Sequence, residues 1–514
     1  MDSKKEHKTD HPSDATCSSM KAIDIDDALN ATKPMGRYQI LLTIIYTYAM
    51  FPLSVNNGFM AFNDTPKFVC TDMDYSINGT MTPTEDCSVY YNCSKGNLSY
   101  VVTYYSIAHE WGLVCDQSYD ISLITSVQMV GDLVGALFIG YISDTYGRKP
   151  TFIIIMATQV LLGSLSALSP SWPVFAVFRF LIGCCAGAEM VAGWVLVAEW
   201  TTNRYRYLMR AIASATIASL DQVMVAYLTQ HWTWYAVAGN LQAVPLLGLL
   251  IFCTFESPRW LVQKGRLAEA EVLLRRVAKI NRSSNQLPEK LQLRGNQDGG
   301  QQKARPWELF TTRQLAQYTV VCVLTWFLIS TINYGMYFNT SYLPSNIYLS
   351  MTILGLVGML EVPLAIYDAY NPEMNRKWTL LIALLFSVAA NVGLVVLLAF
   401  VSESVASYNI LVAIVNVIGQ LAVNVVFDQA YLYAVELFPT LLRSTAGSLC
   451  SVGARIGAVI APQILYLHVL WPAAPYACFG LLSFFSVIID WAFLPNTKNM
   501  HLPDATSVSV QENT

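Results

Sequence analysis

The sequence predicts an all-α membrane protein of twelve transmembrane helices in two six-helix halves, and three observations carry that prediction. Hydrophobic residues make up 54% of the 514 and charged residues only 13%, about half the usual quarter, so the chain cannot coat several soluble domains and needs lipid as part of its solvent. Twelve apolar stretches have the length of about 20 residues that crosses hydrocarbon as a helix with its backbone polar groups satisfied internally. The basic residues are also lopsided. Of 31 Lys and Arg, 27 fall to one side of the resulting topology, counting Arg210 at the inner edge of span 5, two (Lys67, Lys95) to the other, and two (Arg179, Arg455) deep within spans.

The spans are expected near 38–61, 121–142, 151–169, 173–198, 208–229, 234–255, 316–338, 346–366, 378–400, 407–434, 445–467 and 475–494. Short basic loops stay cytoplasmic, which places the N-terminal segment 1–37 and the tail 495–514 inside. Residues 38–255 then form the first half, 256–315 a central cytoplasmic loop and 316–494 the second half. No cleavable signal is visible, because the first 37 residues are polar and the first apolar run is long enough to span.

Segment 62–119 is the one long outer loop. It carries four glycosylation sequons, beginning at Asn63, Asn78, Asn92 and Asn97. Four in one loop, on the side chosen independently by charge, predict exposure to the secretory lumen and then at the plasma membrane. The same loop holds Cys70, Cys87, Cys93 and Cys115. Two disulfides are expected there, with three possible pairings. No cysteine or histidine spacing suggests a metal.

The central segment contains twelve basic residues and an amphipathic stretch from Leu267 to Ile280. That stretch reads equally as a membrane-surface helix or as a cytosolic helix packed on the bundle. The two halves also echo each other. Glu199 precedes Arg206 by seven residues after span 4, as Glu436 precedes Arg443 after span 10. Asp144 precedes Arg148-Lys149 after span 2, as Asp368 precedes Arg376-Lys377 after span 8. Parallel six-span halves suit a carrier that rocks about a midplane site.

The loop after span 2 reads Gly140-Tyr-Ile-Ser-Asp144-Thr-Tyr-Gly147-Arg148-Lys149. A tight turn needs Gly147, Gly140 would let helices approach closely, and Asp144 is suited to hold Arg148 or a helix N-terminus across the seam in a gate. With Asp26-Asp27-Ala28-Leu29, Gly36-Arg37-Tyr38-Gln39, Glu110-Trp-Gly-Leu-Val-Cys115-Asp116, Arg179-Phe-Leu-Ile-Gly183, Glu256-Ser-Pro-Arg-Trp-Leu261, Glu361-Val-Pro363 and Glu436-Leu-Phe-Pro-Thr-Leu-Leu-Arg443, the chain resembles the major facilitator superfamily. Within it the resemblance is to the organic cation/anion/carnitine transporter family, over nearly the whole chain. It departs from that family after span 8, where a glycine is missing and a few residues are added, and after span 12, where Pro495-Asn496-Thr497-Lys498 replaces Pro-Glu-Thr-Lys.

Charges inside a bilayer cost at least about 2.5–3.5 kcal/mol at mid-helix, so each should face a partner or a wet cavity. The deep acids are Asp132, Glu189, Asp221, Glu361 and Asp428; the bases are Arg179 and Arg455. The resemblance implies a structural role for Arg179, a cavity-facing Glu361, and an anion-gripping Arg455 where the family's cation carriers often have Asp. It also implies aromatic cavity positions at Trp194 and Trp326, and Tyr334 lies two turns from Trp326 on span 7. The acids Glu189, Asp221, Glu361 and Asp428 favour a cationic cargo, whereas Arg455 favours a carboxylate or forms a pair with Asp428 or Glu361.

Together these residues predict a plasma-membrane carrier that moves small organic cations or zwitterions by alternating access, as uniporter or exchanger. Organic-anion exchange is the alternative within transport, and a non-transporting receptor with this fold is the alternative outside it. The small net charge of −4 leaves no basic footprint for nucleic acid. No nucleotide loop, cofactor motif, metal constellation or nucleophile triad appears, so an enzyme is not expected.

Overall fold

The computed structural model describes residues 25–33, 35–62, 67–70, 76–77, 80–81, 87–93, 98–101, 104–202, 216–283, 287, 293, 306–339, 347–370, 375–401, 408–438 and 442–495. Span 1 is Arg37–Ala61, span 2 Tyr119–Tyr146, span 3 Arg148–Leu165, span 4 Trp172–Glu199 and span 5, where described, Thr216–Thr229. Span 7 is Arg313–Phe338, span 8 Ile347–Tyr370, span 9 Arg376–Phe400, span 10 Tyr408–Glu436, span 11 Arg443–Leu465 and span 12 Ala474–Phe493. Span 6 differs from the continuous helix expected. It is built as Trp232–Leu241 and Val244–Cys253, because Pro245 at the start of the second piece has no N–H to continue the ladder.

Within the first half span 2 packs on span 4, and within the second span 7 packs on span 11 while span 9 packs on spans 10 and 12. Spans 2 and 11 and spans 5 and 8 join the halves. Backbone contact between spans 2 and 4 depends on small residues. A Cβ at Gly131 or Gly135 would strike the backbone of Phe180 or Cys184, and one at Gly183 or Gly187 that of Gln128 or Asp132. Gly140 does not play the close-packing part expected of it: it is exposed, and a Cβ there would meet nothing within 4 Å.

The amphipathic helix forms over Leu267–Ile280 and buries Ala270, Leu274, Val277 and Ala278. These pack in one cluster with span 1, 3 and 4 residues such as Tyr38, Phe152 and Leu196. The helix therefore belongs to the bundle, which decides between the two readings of its apolar stripe. The long loop contains elements the sequence did not announce: Lys67–Cys70 pairs antiparallel with Leu98–Val101, and Ser76–Ile77 with Thr80–Met81. Strands this short carry too few residues for a period-2 pattern.

Candidate functional site

Spans 2 and 11 run antiparallel along the seam between the halves and are stitched rung by rung from the end carrying loop 62–119. The rings of Tyr119 and Tyr466 meet at 5.3 Å. Gln463 Nε2 donates to Ser126 Oγ at 2.9 Å and to the Ser122 carbonyl at 3.4 Å. Ser126 Oγ donates to the Val459 carbonyl at 2.9 Å. The innermost rung is an ion pair between Arg455 Nη1 and Asp132 Oδ2, whose residues are 8% and 5% exposed. Two turns further on, Gly140 and Gly447 both look into open space. The ion pair is thus the innermost of the described rungs.

Among the described residues, the ion-pair partner of Arg455 is Asp132 and not the expected Asp428. Asp132 holds the guanidinium, with Met190 Sδ of span 4 accepting from Nη2 at 3.5 Å. The side chain of Glu361 lies outside the described residues, and Asp428 is half-buried on span 10. Asp221 stays within the first half, where its Oδ2 accepts from Gln242 Nε2 at 2.8 Å beside the break in span 6. Glu189 is fully buried, with Gln159 of span 3 as the polar side chain beside its carboxyl group.

The aromatic candidates fall in two clusters, Trp194 in one and Trp326 with Tyr334 in the other. Trp194 faces Tyr46 at 6.2 Å in the first half. Trp326 packs on Phe427 and Tyr431 and donates Nε1–H to the Ala430 carbonyl at 3.3 Å. Tyr334 lies beside Phe338 at 6.1 Å. Arg179 is buried with its guanidinium 3.8 Å from the Phe59 ring and 4.8 Å from that of Phe175, and Nη1 donates to the Asn56 carbonyl at 3.2 Å. That is a packing environment.

At the other end of the bundle, the predicted gating residues of the first half form one network. Arg148 reaches Asp144 at 2.6 Å and Glu199 at 3.0 Å. Gly147 makes the turn at φ 109°, and Glu256 Oε1 accepts from the backbone N–H groups of Arg148 and Lys149 at 2.9 and 3.2 Å. Trp260 donates to the Asp144 carbonyl at 3.0 Å, while Arg259 pairs with Asp26 and donates to the Glu199 carbonyl. Asp144 thus holds Arg148 and not a helix end across the seam. In the second half, Arg443 has Nε and Nη2 buried without a hydrogen-bond partner among the described residues; Arg206 and the Glu436 side chain lie outside them.

The family described as "Sugar (and other) transporter" matches residues 40–508. The chain belongs to that family. Solute carrier family 22 member 7 of Mus musculus is 30% identical over 405 residues, covering 78% of this chain and 73% of the relative, so the membership extends to solute carrier family 22 within the major facilitator superfamily. The "Organic cation transporter protein" of Drosophila melanogaster is 27% identical over 479 residues, 89% of this chain and 83% of that one. Among solved structures, the inward-open xylose transporter XylE from E. coli superposes with a TM-score of 0.62 at 16% identity, covering 91% of this chain and 98% of that one. The protein is a multi-pass membrane transporter and not an enzyme.

In this solute carrier, the motifs that are scattered in sequence meet in space. Tyr38 of the Gly36-Arg37-Tyr38-Gln39 motif accepts from Phe255 N at 2.9 Å through its hydroxyl, and its own N–H donates to Asn281 Oδ1 at 2.9 Å. Asn281 also donates to the Thr32 carbonyl and to Gln39 Oε1. It was not foreseen, because a lone Asn after an amphipathic helix reads as a simple terminator. In the long loop, Cys87 bridges to Cys115 and Cys93 is also disulfide-bonded, which leaves Cys70 as the remaining loop cysteine. Asn92 is exposed at the end of helix Cys87–Asn92; Asn63, Asn78 and Asn97 lie outside the described residues. The loop is anchored by Tyr105, stacked on His231 at 4.7 Å and on His109 at 5.5 Å. Burial pushes the His109 imidazole down to about 4.

Proposed function

We propose that this transporter carries small organic cations or zwitterions across the plasma membrane by alternating access, as a uniporter or exchanger, with both termini and the segment 256–315 cytoplasmic and loop 62–119 glycosylated outside. The single observation that supports it most is the seam between spans 2 and 11. It is stitched by polar contacts from the end carrying loop 62–119, and its innermost described rung is a buried charge pair. A charged cargo entering there finds both a carboxylate and a guanidinium, which suits an amine or onium group together with a carboxylate. The name of the Drosophila relative agrees with a cationic cargo. For a cation the membrane potential contributes about 2.3 kcal/mol per charge per 100 mV.

The boundaries 38–255 and 316–494 serve as the rocking halves, and the Asp144–Arg148–Glu199 network as the rigid anchor of the first. Arg455 favours organic-anion exchange as the second reading. Uptake of labelled tetraethylammonium, carnitine and benzoate into proteoliposomes tests both: saturable, trans-stimulated uptake of the first or second is expected. Uptake of benzoate alone would establish the anion reading in its place, and binding without uptake would point to a receptor.

A further inference from the structure

We infer that Asp132 is a tethered competitor for the Arg455 guanidinium: it occupies the position that a cargo carboxylate would take and thereby sets the carrier's selectivity against organic anions. This rests on the transport reading above and adds a specificity-determining residue to it. The geometry is that of a held, incompletely satisfied cation. Among the described residues, Arg455 is engaged through one guanidinium nitrogen by one Asp132 oxygen, while the other terminal nitrogen reaches a thioether sulfur, a weak acceptor. A guanidinium presents its donors as a fork that a carboxylate can take up bidentately, so a small carboxylate from solution offers more than Asp132 supplies. The pair is also the innermost of the described rungs, two turns from Gly140 and Gly447, where an added Cβ would meet nothing within 4 Å.

Asp132 is held in place by its backbone. Span 4 approaches so closely at Gly183 and Gly187 that a Cβ on Gly187 would strike the Asp132 carbonyl. The carboxylate is therefore presented by a rigid helix, and not by a loop that would swing aside. Paired, the seam has no net charge and offers an anion no uncompensated cation; a cargo carboxylate has to displace Asp132 first.

The test is D132N in the full-length carrier, reconstituted and assayed for labelled benzoate and tetraethylammonium. The ratio of benzoate to tetraethylammonium uptake is expected to rise about tenfold, the worth of one charge-assisted hydrogen bond, and to fall back to the starting ratio in D132N/R455Q. A ratio within about twofold of the parent's, or a gain that persists in the double variant, overturns the inference. Thermal stability in detergent supplies a reading that does not depend on transport. Acetate is expected to raise the melting temperature of D132A, whose missing carboxylate it replaces, and to leave the parent and D132A/R455Q unmoved. No such rescue, or equal rescue of all three, also overturns it. Absence of tetraethylammonium, carnitine and benzoate uptake by the parent would instead sink the transport reading and leave acetate rescue to decide the role of Asp132.

Discussion

The two ends of the seam between spans 2 and 11 use the same helices to opposite effect. From Tyr119/Tyr466 to Asp132/Arg455 the helices are joined by a ring contact, three hydrogen bonds and an ion pair, whereas at Gly140 and Gly447 nothing fills the space that a side chain would occupy. Polar rungs hold one end in register, and at the two glycines the described residues supply no contact to an added Cβ. The charge pair lies at the inner limit of the rungs.

The strongest way to break the comparison is to remove one charge of the pair. R455A leaves the buried Asp132 carboxylate alone and is expected to cost about 3–5 kcal/mol, while D132N/R455Q, which removes both charges, should cost far less; thermal unfolding in detergent reads both. An equal loss in the two would show that the ion pair does not organise the closed end. Next in size is G187A, whose Cβ forces span 4 away from span 2 and is expected to cost about 1–3 kcal/mol as overpacking. Crosslinking between cysteines placed at Asp132 and Arg455 should slow at the same time.

A sharper contrast comes from one bulky residue placed at each end. S126L removes the rungs to Val459 and Gln463 and should destabilise by about 1–2 kcal/mol. G140L projects into open space and should fall within about 0.5 kcal/mol of the parent in stability, yet lower uptake of tetraethylammonium if the open end must close during the cycle. A G140L carrier with unaltered uptake would show that the gap stays open throughout.

The smallest expected effect concerns pH at the loop end. The folded His109 pKa of about 4 lies below the ordinary 6.5, so between those values the unfolded loop binds a proton that the folded one does not. The loop anchor is therefore fully stable above pH 6.5 and weakens as pH falls toward 4. The hydrogen-exchange protection factors of residues 104–110, taken relative to the intrinsic rate at each pH, should fall on acidification from pH 7 to pH 5, and H109Q should flatten that dependence.

The spans were legible because hydrocarbon thickness imposes a length that few other constraints imitate. Observed edges differ from those expected by four residues at most, except at span 5, where the described helix begins at Thr216, and at span 6, where Pro245 breaks the helix. Asp144–Arg148 was legible because the two lie one turn apart. The partner of Arg455 was not. Asp132 is 323 residues away, and its choice over Asp428 depends on the antiparallel register of spans 2 and 11, which no local pattern encodes. Trp194 likewise shares composition but not a cluster with Trp326 and Tyr334, since ring type says nothing of which helix face it lies on.

Composition and the spacing of apolar runs determined by themselves that this chain crosses a bilayer many times, which side its basic loops favour, and which charged residues would need partners. Tertiary packing decided which charges met, where the halves touched and where they parted. The reason is physical: desolvation acts on every residue of a helix alike and can be read along the chain, whereas an ion pair needs two side chains within a few ångströms, which only the docking of one helix on another supplies.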